Sequence, residues 1–153
     1  MHVRACVRAC VRACVRTYIH ADGNEHPHTL IATSQLAQYH KRVGNIDEAV
    51  QLLSKTLQGQ RKFLGDNHAE TMLSMSNLGN LYLTMCEYEK AHTLLTSTLI
   101  AEQTHLGSEH SNTMLTARLL GLCKMLMGDY DEAEKLLMEA YITCSKQLGG
   151  TVC

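Results

Sequence analysis

Tryptophan is absent from this sequence, and proline and phenylalanine occur once each. Scarce proline beside abundant Leu, Met and Ala favours helix. Neither charge is in excess: Lys plus Arg is 14, Asp plus Glu is 15, and the formal net charge is -1. The global basic field that drives nucleic-acid binding is therefore missing. No apolar run approaches the ~18–20 residues that span a bilayer. The N-terminus lacks the roughly 7–15-residue apolar core of a secretory signal. Nor is there a G-x-x-x-x-G-K-[ST], H-E-x-x-H, C-x-x-C or G-x-S-x-G motif. The expectation is a chain that is no enzyme and holds no cofactor and no metal. Seven cysteines is an odd number, and Cys86, Cys123 and Cys144 stand singly. Reduced thiols in a cytoplasmic protein are expected. At 153 residues and 45% hydrophobic content, the chain is long enough for one domain with a real core.

What is present is a repeat. Gly65–Leu106 superimposes without gaps on Gly23–Leu64 and on Gly107–Leu148, a period of 42 residues. Eight columns are identical in all three copies: those of Gly65, His68, Thr71, Leu78, Ala91, Leu94, Leu95 and Leu106. A fixed period of this size means stacked supersecondary units. Each copy opens on a Gly-x-x-His-x-x-Thr loop, whose Gly suits the positive φ that follows a helix end. First helices are expected at roughly Pro27–Val43, Ala69–Met85 and Ser111–Met127, and second helices at roughly Ile46–Phe63, Tyr88–His105 and Tyr130–Gln147. Pro27 suits a first helical turn. Asn45 with Glu48, and Asp129 with Glu132, have capping-box spacing. Ala91, Leu94, Leu95 and Leu99 recur at helical spacing, and Leu78-Gly79 pairs a large residue with a small one that lets backbones approach. Tyr141 falls in the same apolar row as Leu99, and the methionines, among them Met72, Met75, Met85, Met125, Met127 and Met138, read as adaptable packing. A helix hairpin of this kind cannot bury its face alone, so neighbours complete the core.

Residues 1–22 form a separate low-complexity segment, in which Val-Arg-Ala-Cys occurs three times. The repeated tetranucleotide GTGC encodes that cycle in any frame, which points to a microsatellite or misread non-coding sequence over residues 3–16. The segment then reads as disordered or loosely helical filler. A basic membrane-surface or targeting helix is a competing reading. Cys6, Cys10 and Cys14 as metal ligands is a third, for which no fourth ligand is placed.

The succession Leu78, Gly79, Tyr82, Ala91 resembles the tetratricopeptide repeat. Copies one and three keep Leu36-Ala37…Ala49 and Leu120-Gly121…Ala133, with His40 and Lys124 in the place of Tyr82. The 42-residue length, with Leu64-Gly65…His68 and Leu106-Gly107…His110 between units, is similar to the kinesin light chain type, over about 126 of 153 residues. The resemblance implies an all-α fold, a right-handed α-solenoid of three helix-turn-helix repeats (23–64, 65–106 and 107–148), with 149–153 starting a further one. It implies a protein–protein interaction scaffold that binds a peptide or partner protein in a concave groove lined by first helices. The heptad coiled coil of kinesin light chains has no counterpart in residues 1–22, so cargo-type peptide binding is implied and motor binding is not. Matched onto this chain, the groove positions include Gln38, Lys41 and Arg42 in copy one, Asn77 and Asn80 in copy two, and Arg118 in copy three. Ser76 and Leu119 match such positions too, and because copy three is apolar at these positions, core is the alternative reading for part of it. Asn77 and Asn80 sit where related repeats hold a peptide main chain, since an amide donates and accepts at once. Lys41, Arg42 and Arg118 suit an acidic peptide.

His26, His68 and His110 are 42 residues apart, one to each loop, too far apart for one metal site. They are expected to cap or brace the loops. Two further functional readings stand beside the scaffold. One is a repeat segment of a nucleotide-binding signalling switch. The other is a self-associating structural fragment, because the last pair has no polar capping helix after it. A fragment, a truncated gene model or an end-to-end dimer is expected on that ground.

Overall fold

The computed structural model describes residues 26–147, together with Ala9 and Ala13. Ala9 and Ala13 apart, the readings placed on residues 1–22 and on 149–153 lie outside the described residues. Among the described residues from 26 on, six helices follow in order: α1 (Pro27–Arg42), α2 (Ile46–Phe63), α3 (Ala69–Thr84), α4 (Tyr88–His105), α5 (Ser111–Met127) and α6 (Tyr130–Gln147). Among the described residues there is no strand. The architecture is therefore all-α, three helix-turn-helix units. Only the ends of α1 and α3 fall one residue short of expectation, because Val43 and Met85 act as their C-caps.

The identical columns explain why the elements begin and end where they do. His26, His68 and His110 are the N-caps of α1, α3 and α5. Each Nδ1 accepts the backbone N–H two residues on, at 3.4, 3.2 and 3.2 Å. An imidazole so used supplies the acceptor that Ser or Asp supplies elsewhere. The aligned Thr29, Thr71 and Thr113 are buried, and Thr113 Oγ1 donates to the Gly107 carbonyl at 2.8 Å. Gly65 and Gly107 take φ of 84° and 89°, as a chain leaving a helix requires.

The described residues divide after Asp66 into two compact units. In the first, α1 packs on α2 through Leu30, Leu36, Ala37, Ala49, Leu53 and Leu57, all buried. Gly59 of α2 sits against Leu30, leaving no room for a side chain: a Cβ there would lie 2.7 Å from Leu30 Cδ2. In the second unit α3 packs on α4, α4 on α5 and α5 on α6. Its core joins Ala91, Leu95 and Leu99 of α4 to Leu119, Leu120 and Cys123 of α5. A Cβ on Gly79 would meet Leu95 at 2.6 Å, and one on Gly121 would meet Leu137 at 2.8 Å. The small residue of each large–small pair is thus the contact between the two helices of a hairpin.

The turn between first and second helices corrects one expectation. Asn45 makes no side-chain cap bond to α2. Glu48 turns instead to the buried His40, with Oε2 2.8 Å from Nδ1. A carboxylate only accepts, so this Nδ1 carries its proton. In the third repeat Lys124 Nζ binds Glu132 at 2.6 Å and Asp129 at 3.0 Å. In the second, Lys90 Nζ stands 5.7 Å from the centre of the Tyr82 ring. One pair of columns, 40/82/124 and 48/90/132, therefore braces every turn with a different chemistry: imidazole–carboxylate, aromatic–ammonium and ammonium–carboxylate. The Asp129 half of the expected capping holds. Lys124 first, and the Glu132 backbone N–H besides, hold the Asp129 carboxyl below its ordinary pKa.

Candidate interaction surface

Two amide side chains one turn apart lie on the first helix of the second unit. Asn77 and Asn80 lie on α3 and are half-buried. Three residues of spacing puts them on one face of the helix. Among the described residues neither amide side chain has a partner, and both keep a donor and an acceptor to offer. Thr84, one turn further, is exposed and returns its hydroxyl to the Asn80 carbonyl at 3.0 Å. On α5 of the same unit Arg118 is exposed. In the first unit Gln38 and Lys41 are half-buried and Arg42 is exposed, all on the second half of α1.

Ser76 and Leu119, matched to groove positions by sequence, are core residues. Leu119 is packed with Leu95 and Leu99. Ser76 is fully buried and reaches across to α5, with its Oγ 2.6 Å from Thr116 Oγ1. Glu102 of α4 completes this cluster, its Oε1 3.4 Å from Ser76 Oγ. Sequence reasoning missed the cluster. A signal existed, since Ser76, Glu102 and Thr116 hold polar places that periodicity assigns to the inside. Burial raises the Glu102 pKa above the ordinary carboxyl range, against the opposing effect of the Thr116 and Ser76 hydroxyls. Its second oxygen, Oε2, is buried with no partner. A protonated carboxyl would add a donor to a group rich in acceptors.

The second feature missed is apolar. A groove of about 510 Å³ runs between α5 and α6, lined by Met125, Tyr130, Ala133, Leu137, Met138 and Tyr141, with Glu134 at its side. Tyr130, Met138 and Tyr141 are 69%, 51% and 57% exposed. Met72 and Met75 are buried packing residues as expected, but Met85, Met125, Met127 and Met138 face out. Tyr141, expected in the core row, is out because the face that α5 covers on α4 has no described helix over it on α6. Cys123 is buried, and burial pushes its thiol pKa up, away from reactivity. Among the described residues no group of three or more His, Cys, Asp and Glu could hold a metal ion. Nor is any helix among them long and apolar enough to cross a membrane.

The tetratricopeptide repeat family model matches residues 28–101, spanning the first two hairpins. Over those residues the chain matches the tetratricopeptide repeat. The crystal structure of BtubC (BKLC) from P. vanneervenii is similar at a TM-score of 0.84 and 18% identity, over 97% of this chain. The chain spans 59% of the length of that protein. Two crystal structures from Podosopora anserina, described as "putative kinesin light chain nearly identical TPR-like repeats", are similar at TM-scores of 0.77 and 0.74. Their identities are 23% and 24%, over 95% and 94% of this chain and 68% of each of theirs. No curated protein sequence matches the chain. At such identities the likeness shows the fold: the tetratricopeptide hairpins, with Leu78-Gly79 and Ala91 at their contact.

Proposed function

We propose that this chain is a non-enzymatic scaffold of the kinesin light chain type, whose first helices bind an extended peptide or partner protein in the cytoplasm. The observation that carries the reading is the pair Asn77 and Asn80, two unpartnered amides on one face of a packed helix. Amides on a rigid element can read a peptide main chain independently of its sequence. Gln38 occupies in the first repeat the column of Asn80. Lys41, Arg42 and Arg118 supply cations, so the preferred partner is acidic. The likeness to kinesin light chain repeats and the 42-residue period support the subtype. The free thiols of Cys86, Cys123 and Cys144 suit a reducing compartment.

The test is a displayed library of extended peptides, screened against the full chain and against Asn77→Ala/Asn80→Ala. The double variant should bind at least roughly tenfold more weakly, about 1.4 kcal/mol, with its helical circular dichroism unchanged. A folded double variant that keeps its affinity for every binder refutes the assignment. Self-association through an uncovered repeat end is a second reading, favoured by the apolar row on α6.

A further inference from the structure

The groove on α6 has an occupied twin one repeat earlier. Moving Met125, Tyr130, Ala133, Leu137 and Tyr141 back by 42 residues gives Leu83, Tyr88, Ala91, Leu95 and Leu99, all members of the cluster that α4 shares with α5. There the groove is filled by α5, through Leu119, Leu120 and Cys123 with Leu115 beside them. Cys123 seats deepest, its Sγ 3.4 Å from the Tyr88 carbonyl oxygen. The structure thus contains, within one chain, both the empty groove and a picture of what fits it: a first helix of the same repeat.

The chain also carries such a helix, with part of its docking row facing outward. Moving Leu115, Leu119, Leu120 and Cys123 back by 84 residues gives Ile31, Gln35, Leu36 and Tyr39 of α1. Ile31 and Gln35 are exposed, Tyr39 is half-buried, and Leu36 is buried in the core of the first unit. Tyr39 is larger than Cys123, and the groove on α6 has Met125 and Met138 where its twin has Leu83 and Thr96. Flexible thioether side chains adapt to such a change of shape. Charge agrees. Helix α1 has Lys41 and Arg42 and no carboxylate, whereas α6 has Asp131, Glu132, Glu134 and Glu139 against Lys135 and Lys146. The filled pair has the same sense: α5 has Arg118 and Lys124 and no carboxylate, and α4 has Glu89 and Glu102 against Lys90.

We propose that the α5–α6 groove is a docking site for α1 of a second copy of this chain, seated as α5 is seated on α4. This rests on the self-association reading; Lys41 and Arg42 enter it only through the charge of α1, and none of the residues changed in its test is assigned to peptide binding. The contact is head-to-tail, so an assembly that does not close into a ring keeps a free groove and a free α1 and can take up further copies.

Sedimentation of the full chain tests it through complementation. The unaltered chain should grow past the mass of two chains as concentration rises. Ile31→Glu spoils the α1 row and Tyr141→Glu spoils the groove, so each alone should run as a monomer. Mixed in equal amounts they should form a pair of twice the monomer mass that grows no further, since one good groove meets one good α1. Both residues are exposed, and retained helical circular dichroism checks folding; Gln35→Glu and Met138→Glu replace any variant that fails. An unaltered chain that stays monomeric up to its solubility limit overturns the proposal. An Ile31→Glu chain that still dimerises also overturns it, and assigns the groove to a second α6. A mixture with no hetero-pair overturns it as well. Loss of peptide binding in Asn77→Ala/Asn80→Ala would leave all of these results unmoved.

Discussion

Glu102 lies where three helices of the second unit meet, fully buried, with hydroxyls from α3 and α5 at hand and one oxygen unpartnered. Burial raises its folded pKa above the value of the unfolded chain. The native state therefore holds the proton more tightly, and between the two pKa values stability falls as pH rises. The cost of burying the ionised form is fully present above the folded pKa and absent below the unfolded one. The repeat offers its own neutral analogue, since Gln60 occupies the same column in the first unit. Glu102→Gln should stabilise the chain near neutral pH by roughly 1 kcal/mol, the order of a buried unsatisfied group. That gain should vanish in acid, below the ordinary carboxyl range. Urea titrations of both chains across pH measure it, and a gain that persists in acid would assign the effect to packing. Cys86 gives a second test. Its φ is 60°, the sole positive value among described non-glycine residues, in a column where Gly44 and Gly128 take 86° and 89°. A side chain in this region costs about 1–2 kcal/mol, and glycine's added freedom in the unfolded chain returns up to about 1 of that. Cys86→Gly should raise the melting temperature by roughly 2 °C, and a drop would show that the Cys86 side chain contributes more than its strain costs.

At the scale of the element, each hairpin closes with the same device made from different residues. The 40/82/124 column reaches eight residues forward to the 48/90/132 column in every repeat. If the pairing matters and the particular chemistry does not, the pairs should be exchangeable. Lys124→Tyr or Glu132→Lys alone should lower the melting temperature of the third repeat by roughly 2 °C, Glu132→Lys by setting two cations side by side. The double variant, which installs the Tyr82–Lys90 pair of the second repeat, should recover most of the loss. Additive losses in that double variant would mean that the two columns act separately. This device also marks where the sequence was legible. Period, helix bounds, the small residues at the hairpin contacts and the three capping histidines follow from columns that are identical in all copies. The turn brace was misread as capping because its residues differ in every copy, and Asn45 and Glu48 have the right spacing for another motif. Ser76 was read as groove because a position matched by family register carries no information on which way its neighbours lean. Its burial follows from Glu102 and Thr116, one on each of the next two helices, whose approach no local pattern encodes.

For the whole molecule, charge decides what kind of selectivity the proposed peptide surface can have. The formal net charge is -1, so no long-range field gathers acidic ligands from solution. Any preference for acid must act at contact range, through Lys41 and Arg42 on the first unit and Arg118 on the second. Such partly exposed cations contribute about 0.2–1 kcal/mol each when paired, and salt screens them within about 8–10 Å. Amide contacts from Asn77 and Asn80 do not share that dependence. Replacing Lys41 and Arg42 by Gln should therefore leave neutral peptides bound as before. Acidic peptides should bind roughly three- to tenfold more weakly at low salt, and the difference should shrink toward nothing in about 0.5 M salt, where the screening length is down to a few ångströms. Isothermal titration of one acidic and one neutral binder at two salt concentrations separates the contributions. If both peptides weaken equally, Lys41 and Arg42 hold the helix surface in shape rather than reading charge. If neither weakens, the acidic preference lies elsewhere, and Arg118 on α5 is the cation left to carry it.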